Sequence, residues 1–334
     1  MTRSSVLVTG ASGLLGSNIC RLAADAGRRV RGLVRTDADA EVLRAIGVEP
    51  AIGDITDPES LHDAMAGVDG LIHAAAILGG TWSSATADDF DRVNYHGSLA
   101  VLDAARQHSV ARTVVVSSMV IYRHSVTVTE SSPLVSAGPA LSPYARAKLA
   151  IYYEGMHRVC RGEHITFVVP GAMYGPSPFT NRALRPTLFT GTLLAAIRGE
   201  LMEYANFPLS WPYVEDAARI TLAALDRGRA GKKYLAAGGP DDVLSLAGFC
   251  NLGCAAAGVA HRVRDLPLAD LTSDIGPMRA MAEAKYPTPL VDPKRTNDEL
   301  GITLTPVRAG VEKTVAWLYA QRKICREDDR DAHR

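Results

Sequence analysis

The chain has 334 residues, and its basic and acidic side chains balance at 36 each, with a pI near 7.1. This balance removes the electrostatic reason to expect a nucleic acid or an anionic membrane as a partner. The hydrophobic share of 47 % suffices for a large core, and no run reaches the ~20 apolar residues that a membrane-spanning helix needs.

Five cysteines are a small and odd number for this length, and they favour a reduced, cytoplasmic setting. Cys250 and Cys254 lie four residues apart, but no second pair or histidine cluster completes a zinc site. We therefore expect packed or free thiols and no metal. Residues 1–10 run directly into a strand pattern and do not look like a signal peptide.

Short β-branched runs alternate with longer helical patterns along the chain. The predicted strands are residues 5–10, 29–35, 48–54, 68–76, 111–118, 164–171 and 232–238, and the predicted helices are residues 14–27, 56–67, 88–109, 143–160 and 212–225. Gly27 is expected to end the first helix, and Asp57 with Pro58 to begin the second. The alternation predicts an α/β fold, a Rossmann-type doubly wound parallel sheet with helices on both faces.

The alternation weakens after residue 178, which indicates a second structural unit. We expect residues 1–175, with returns at about 208–240, to form the cofactor-binding domain. Residues 176–207 and 241–323 are expected to form a smaller, interleaved C-terminal substrate lobe. The charged stretch 324–334 is predicted to be a flexible tail.

The sequence TGASGLLG places Gly10, Gly13 and Gly16 between the first strand and the first helix. A glycine at each position permits a tight turn, close approach of a pyrophosphate, and close packing of the helix on the strand. The helix N-terminus adds free amides and a positive dipole end. This location predicts a dinucleotide-binding loop.

The spacing of this loop resembles that of the extended short-chain dehydrogenase/reductase family, closest in pattern to its dihydroflavonol reductase and 3β-hydroxysteroid dehydrogenase-like members. Further stretches agree in the same order along the chain. They are GDITD (53–57), LIHAAA (71–76), VNYHGSLAVLDAA (93–105), VVVSSMVIY (114–122), PYARAK (143–148), PGAMYGP (170–176), YVEDAA (213–218) and residues 294–318. The resemblance implies an enzyme that transfers hydride with a nicotinamide cofactor.

The resemblance also implies which residues hold that cofactor. They are Gly10, Ser12, Gly13, Leu14, Leu15, Arg35, Asp54, Ile55, Ala74, Ala75, Ala76, Asn94, Ser117, Pro170, Gly171 and Met173. An NAD-selective site needs an acidic residue after the second strand, where this chain has Val34 followed by Arg35. Arg35 offers a planar fork to a 2′-phosphate, so we expect NADP(H), with NAD possible because Asp37 lies close by.

Tyr144 and Lys148 lie four residues apart on a predicted helix, so both side chains can face the cofactor cleft. A nearby ammonium is expected to lower the pKa of the phenol and to fit it for proton transfer. Ser118 ends the fifth strand, and the resemblance implies that it completes the catalytic set, because the family places its catalytic serine or threonine at this position, four residues before Tyr122. The resemblance implies that Lys148 also contacts the nicotinamide ribose. Asn94 is expected to be structural or to relay water rather than to react.

The substrate is predicted to be an apolar, ring-containing small molecule. Dehydratases of the family carry acidic residues where this chain has Met119 and Val120, and residues 200–216 contain no arginine that would suit a nucleotide diphosphate. Seven aromatic residues favour an apolar pocket, although such residues are usually core; they are Trp82, Tyr174, Phe179, Phe189, Tyr204, Phe207 and Trp211.

Two other functions stay open, a nucleotide-sugar epimerase and a regulator that binds NADP without turnover. Glycines 79 and 80 suggest a mobile loop above the site. The resemblance implies a homodimer formed through the helices at about 88–108 and 143–160.

Overall fold

The computed structural model describes residues 5–78, 85–123, 127–138, 141–239, 242–270 and 290–324. The predicted loop at glycines 79 and 80, Trp82 and the tail from residue 325 lie outside these ranges. Within them, no helix is both long and apolar enough to cross a bilayer.

Seven strands form one central parallel sheet. They are β1 (Ser5–Thr9), β2 (Arg29–Val34), β3 (Glu49–Ile52), β4 (Gly70–His73), β5 (Arg112–Val116), β7 (Ile165–Pro170) and β10 (Lys233–Ala236). Their order across the sheet is β3-β2-β1-β4-β5-β7-β10, and every neighbouring pair is parallel. The predicted doubly wound Rossmann-type sheet is confirmed.

Three short strand pairs lie outside this sheet. β6 (Thr127–Thr129) pairs with β13 (Leu290–Asp292), β8 (Glu203–Ala205) with β12 (Arg264–Leu266), and β9 (Pro208–Ser210) with β11 (Val243–Ser245). Only the β9–β11 pair among these three is antiparallel.

The described helices follow in chain order. They are α1 (Leu14–Asp25), α2 (Asp37–Ala45), α3 (Pro58–Met65), α4 (Ala87–Asp89), a π-helical stretch (Phe90–His96), α5 (Gly97–Gln107), a 3₁₀ turn (Met119–Ile121), α6 (Pro143–Cys160), α7 (Thr180–Ala183), α8 (Phe189–Ile197), α9 (Val214–Arg227), α10 (Leu246–Ala256), a 3₁₀ turn (Leu268–Asp270), α11 (Lys294–Leu300) and α12 (Val307–Ala320).

Helix termini follow the local chemistry of the sequence. Gly27 adopts φ +75° just after α1, and Asp57 accepts a hydrogen bond from the Glu59 amide at the start of α3, as predicted. The sequence reasoning did not identify α2. Thr36 caps this helix by accepting a hydrogen bond from the Asp39 amide, but the helix has only nine residues, which is shorter than the window in which a helical period can be recognised.

The sheet is buried on both faces, as parallel sheets require. In β1, Val6 and Val8 join one core cluster and Leu7 joins another. On the face of the sheet that α6 covers, Gly155 lets this helix lie very close to β7. A Cβ added at Gly155 would lie 2.7 Å from the Phe167 ring. This close packing fixes the helix that carries Tyr144 and Lys148.

The aromatic residues after β7 form a core of their own. Trp211 stacks on Phe249 with ring centroids 4.1 Å apart, and Phe189 meets Trp211 edge-on at 5.0 Å. Tyr174 is fully buried and donates to the Val307 carbonyl at 3.0 Å. The expectation that these side chains line a substrate pocket is therefore wrong for this cluster, because their faces are used in packing. Tyr204 and Phe207 belong to the same cluster, and Phe179 is buried in the main core.

The predicted division into two lobes at residue 175 stays a prediction. Cys250 and Cys254 are buried free thiols within α10.

Candidate active site

The loop between β1 and α1 is shaped by its glycines. Gly10 adopts φ +71°, and a Cβ there would lie 2.7 Å from backbone atoms of Ala74 and Ala75. A Cβ on Gly16 would lie 2.1 Å from the Gly10 carbonyl oxygen. The loop is thus pressed against the end of β4 and against its own helix.

The N-terminus of α1 opens at this loop. Gly13 is the N-cap and is exposed, so it brings no side chain over the first-turn amides of Leu14 and Leu15. Amides in a first helical turn have no intrahelical acceptor, and they bind phosphate oxygens well. The loop therefore fits a dinucleotide pyrophosphate. The Leu14 and Leu15 side chains are buried, which leaves their backbone for such contacts.

The segment Ala74–Ala76 after β4 is held in place by Asn94. The Asn94 amide donates to the Ile77 carbonyl at 2.9 Å, and its Oδ1 accepts from the Ile77 amide at 2.7 Å. Asn94 lies in the π-helical stretch of the long helix, and such stretches are frequent at functional sites. Because both ends of its side-chain amide are engaged, Asn94 acts on the predicted cofactor segment through Ile77.

His73 lies at the end of β4 beneath this segment, and sequence reasoning gave it no role. Its Nδ1 is 2.7 Å from Thr9 Oγ1 and its Nε2 is 2.8 Å from Ser98 Oγ. Ser98 donates its own hydrogen to the Asn94 carbonyl, so Nε2 carries the imidazole proton and Nδ1 accepts from Thr9. Burial, and then the charge of Lys148, lower the pKa of His73 to about 3. His73 is therefore a neutral link between β1, β4 and the long helix.

Tyr144 lies in the first turn of α6, where Ser142 caps the helix and Pro143 opens it. Its ring meets Phe90 edge-on, with centroids 6.2 Å apart, and its hydroxyl lies beside Ser118. The structure thus brings together two of the three predicted catalytic residues, which are 26 positions apart in the sequence.

Burial raises the pKa of Tyr144 above its usual value, and the neighbouring Ser118 hydroxyl lowers it by a smaller amount. The expectation that Lys148 lowers this pKa is not met in the protein alone, because loss of hydration outweighs the favourable contacts. Tyr144 is therefore a protonated phenol at neutral pH.

Lys148 follows one turn later on α6 and points towards the sheet. Its Nζ lies 5.9 Å from the centre of the Tyr144 ring and donates to the Val116 carbonyl at 2.9 Å. Burial lowers the pKa of Lys148 to about 8. The ammonium is thus mostly charged at pH 7, and it loses its proton more readily than an exposed lysine does.

The two serines after β5 face different surroundings, as strand alternation predicts. Ser118 is half-buried beside Tyr144, whereas Ser117 is buried in a small polar enclosure with His73, Ser98 and Lys148. The Ser117 hydroxyl has no hydrogen-bond partner within the described part of the chain.

Arg35 directly follows β2, and Asp54 lies two residues after the end of β3. The Arg35 side chain is 72 % exposed, and its Nη1 lies 3.9 Å from Asp54 Oδ2. Asp54 Oδ1 also accepts from the Thr56 amide at 2.9 Å. Ile55 is different, because its side chain is buried in the core and only its backbone remains for a cofactor.

Pro170, Gly171 and Met173 follow β7 at the same carboxyl edge of the sheet. The Gly171 amide donates to the Ala236 carbonyl at 2.9 Å, which continues the β7–β10 pairing past the strand ends. Met173 packs with Leu14 at the start of α1, so this segment and the glycine loop adjoin.

Arg182 on α7 also reaches the glycine loop, and sequence reasoning missed it. Its Nη1 donates to Ser12 Oγ at 2.5 Å, and its Nη2 contacts the two Asp39 carboxylate oxygens at 2.7 and 2.6 Å. No local signal marks this arginine, because its partners are 170 and 143 positions away.

Comparison with known proteins agrees with this geometry. The family model of the NAD dependent epimerase/dehydratase family matches residues 6–237. Sterol demethylase protein B of Methylococcus capsulatus is 30 % identical over 70 % of this chain and 70 % of its own length. A 4-hydroxy-2-methyl-3-oxo-4-farnesyl-3,4-dihydroquinoline-1-oxide ketoreductase of Stigmatella aurantiaca is 31 % identical over 78 % of this chain and 75 % of its own length.

A dTDP-glucose 4,6-dehydratase of Streptomyces griseus is 31 % identical over 95 % of this chain and 94 % of its own length. Among solved structures, gox2253 superposes with a TM-score of 0.82 at 24 % identity, covering 97 % of this chain and 100 % of that protein. The match of the family model to most of the chain, together with these relatives, decides the family. The chain belongs to the NAD dependent epimerase/dehydratase family and is an NAD(P)-dependent enzyme of the short-chain dehydrogenase/reductase type.

Proposed function

We propose that this enzyme is an NADP(H)-dependent ketoreductase, which interconverts a carbonyl group and a secondary alcohol on an apolar small molecule. The observation that carries the proposal is the Tyr144 phenol, which lies beside Ser118 and one helical turn from the Lys148 ammonium, whose Nζ is 5.9 Å from the centre of the Tyr144 ring. These groups can hold and protonate a carbonyl oxygen, which is what the reduction of a ketone requires.

A bound nicotinamide would supply or accept the hydride. Tyr144 donates its proton to the carbonyl oxygen during reduction and takes it back during oxidation. Ser118 holds the same oxygen by a hydrogen bond. The positive charge of Lys148 favours the phenolate that remains on Tyr144 after it donates its proton. The hydrogen bond that Lys148 donates to the Val116 carbonyl holds the ammonium near the Tyr144 ring.

The NADP(H) preference is supported by the end of β2. Val34 has no group that accepts from a ribose 2′-hydroxyl, and Arg35 is exposed and able to turn towards a phosphate. Asp37 begins α2 at the helix surface, where its carboxylate faces solvent.

The apolar character of the substrate rests on relatives rather than on the aromatic cluster, since that cluster is core. Two of the relatives are named for a sterol and for a farnesylated dihydroquinoline oxide. A ketoreductase needs no acidic or basic side chain in addition to Tyr144. The apolar side chains of Met119 and Val120, which follow Ser118, agree with that requirement.

A sugar-nucleotide reaction is the second candidate, because the dehydratase relative covers more of the chain than the ketoreductase does. The elimination of water needs an additional acid and base, which the residues after Ser118 do not provide. The segment 200–216 contains no arginine that would suit a nucleotide diphosphate. Two of its other side chains already have structural contacts, because Trp211 is packed in the core and Asp216 accepts from the Thr305 amide at 2.6 Å.

The test is a panel of apolar ketones and alcohols followed at the NADPH absorbance band, with NADH in parallel and dTDP-glucose as competitor. We expect turnover of an apolar ketone with NADPH at least tenfold more efficiently than with NADH. Equal efficiency with both cofactors would refute the NADP(H) preference, and turnover of the nucleotide sugar would favour the second candidate.

A regulator without turnover is a third candidate from another class. Tyr144→Phe separates it from an enzyme, because the variant should still bind NADPH but lose activity. A homodimer through α5 and α6, and a cytoplasmic location, stay predictions.

A further inference from the structure

We propose that Arg182 is a specificity-determining residue, which binds the 2′-phosphate of NADP(H) together with Arg35. The inference rests on the proposed NADP(H) preference and extends it to a residue far from the dinucleotide-binding motifs in sequence.

Arg182 lies between the two elements that hold an adenosine ribose in this fold. Ser12, which accepts from Arg182 Nη1, belongs to the glycine loop. Asp39, which accepts from Arg182 Nη2, lies in the first turn of α2, directly after the end of β2. In dinucleotide-binding sheets the ribose 2′-position is recognised at this end of the second strand.

The guanidinium keeps hydrogen-bond donors for a ligand. Of its five N–H groups, the Ser12 contact uses one on Nη1, and the Asp39 contacts use Nη2. Nε–H and the second Nη1–H are not used by these contacts. The Ser12 hydroxyl accepts from Arg182 and so keeps its own hydrogen to donate. A phosphate with several acceptor oxygens matches such a set of donors.

A 2′-phosphate can bind beside Asp39 only if the positive charge of Arg182 balances the Asp39 carboxylate. Asp39 is 8 % exposed, and its carboxylate would repel a 2′-phosphate if it were left alone. Arg182 neutralises this carboxylate and presents its remaining donors on the side of Ser12. The ion pair with Asp39 therefore holds Arg182 in one orientation, and it removes the repulsion between the Asp39 carboxylate and a 2′-phosphate.

The segment that leads to Arg182 is fixed to α1. The Asn18 amide donates to the Pro176 carbonyl at 2.9 Å, and Ser17 Oγ lies 3.0 Å from Ser177 Oγ. The Arg182 guanidinium also lies 5.6 Å from the Phe179 ring centre. These contacts hold the arginine before any ligand binds, which reduces the entropy lost on binding.

The test measures the binding of 2′,5′-ADP and 5′-AMP by isothermal titration calorimetry, because these fragments differ only in the 2′-phosphate. In R182Q we expect the affinity for 2′,5′-ADP to fall about tenfold or more, as loss of a charged hydrogen bond implies, and that for 5′-AMP by less than about threefold. Arg185→Gln, an exposed arginine three residues later, is the matched control and should leave both affinities unchanged.

The double variant D39N/R182Q separates a phosphate contact from simple charge neutralisation, and it avoids the unpaired buried carboxylate that destabilises R182Q. If Arg182 binds the phosphate, the double variant keeps the weakened 2′,5′-ADP binding. Recovery of wild-type binding in the double variant would overturn the proposal, and so would an equal loss of both fragments in R182Q.

The wild-type protein tests the underlying function separately. If it binds 2′,5′-ADP no more tightly than 5′-AMP, the NADP(H) preference fails, and the role of Arg182 fails with it. If the wild type strongly prefers 2′,5′-ADP and R182Q keeps that preference, only the role of Arg182 is refuted.

Discussion

Lys148→Met should make the protein more stable at pH 7 while it removes activity. Burial lowers the pKa of Lys148 from 10.5 to about 8, so the folded protein holds this ammonium at a cost in free energy. Methionine fills a similar volume without a charge. A residue kept for catalysis therefore reduces stability.

The size of the effect follows from the pKa values. The difference between 10.5 and about 8 corresponds to at most ~3 kcal/mol of destabilisation below pH 8. Loss of the hydrogen bond to the Val116 carbonyl costs about 1 kcal/mol. The net gain for the variant is about 2 kcal/mol, which for an unfolding entropy of roughly 0.7 kcal/mol/K raises the Tm by about 3 °C.

The gain should depend on pH with a definite sign. Above about pH 8 the folded wild type releases the Lys148 proton, whereas the unfolded chain keeps it up to about 10.5. The unfolded state then binds more protons, so wild-type stability rises with pH in this window. We expect the advantage of the variant to shrink by about 2 kcal/mol between pH 7 and pH 9.5.

Urea unfolding of both proteins at pH 7 and pH 9.5 measures this difference, because titration of the other groups is common to both. Lys313→Met changes an exposed lysine and serves as the control, with no such pH-dependent gain expected. A variant less stable than wild type at pH 7, or a difference that is the same at both pH values, would refute the reasoning.

Three further changes test the site. Tyr144→Phe should lower kcat for carbonyl reduction by about 10²–10⁴-fold while the NADPH dissociation constant stays within twofold; near-normal turnover would exclude Tyr144 as the proton donor. Gly10→Ala should abolish NADPH binding and lower the free energy of unfolding by more than Gly67→Ala. Both glycines have positive φ, but no heavy atom of the described chain lies within 4 Å of a Cβ at Gly67, whereas a Cβ at Gly10 would lie 2.7 Å from backbone atoms. Equal losses of stability for the two variants, measured in urea, would contradict this explanation. Asn94→Leu should lower the free energy of unfolding by about 2 kcal/mol, because it leaves both polar backbone groups of Ile77 without partners. It should also weaken NADPH binding in fluorescence titrations. Asn94→Asp keeps one acceptor and should lose less stability. An Asn94→Leu protein with wild-type stability would show that Asn94 does not hold this segment.

Local sequence pattern was sufficient for the central sheet and for the helix that carries Tyr144 and Lys148. Strand periodicity predicted all seven central strands, and the four-residue interval between Tyr144 and Lys148 placed both on one helix. The meeting of Ser118 with Tyr144 was predicted from resemblance to a family, and the structure places the Ser118 hydroxyl beside the Tyr144 phenol.

Other features depend on tertiary contacts that no local pattern contains. Arg182 meets Ser12 only because two distant segments pack together. The composition of the aromatic segment does not distinguish a pocket wall from a core, and stacking of Trp211 on Phe249 identified it as core. The pKa of Tyr144 was predicted with the wrong direction for the protein alone, because its burial could not be derived from spacing.

The aromatic cluster has a consequence for the order in which the chain folds during synthesis. The last strand of the central sheet ends at Ala236, whereas the cluster around Trp211 also needs residues up to Leu318 on α12. Because nascent chains fold from the N-terminus, we expect the cofactor-binding sheet to form on the ribosome while Trp211 is still exposed to solvent. Ribosome-stalled chains ending soon after Ala236 should then resist protease over the sheet and show solvent-exposed tryptophan emission. Chains extended past Ala320 should bury the indole, so the aromatic core around Trp211 would be completed after the cofactor-binding sheet.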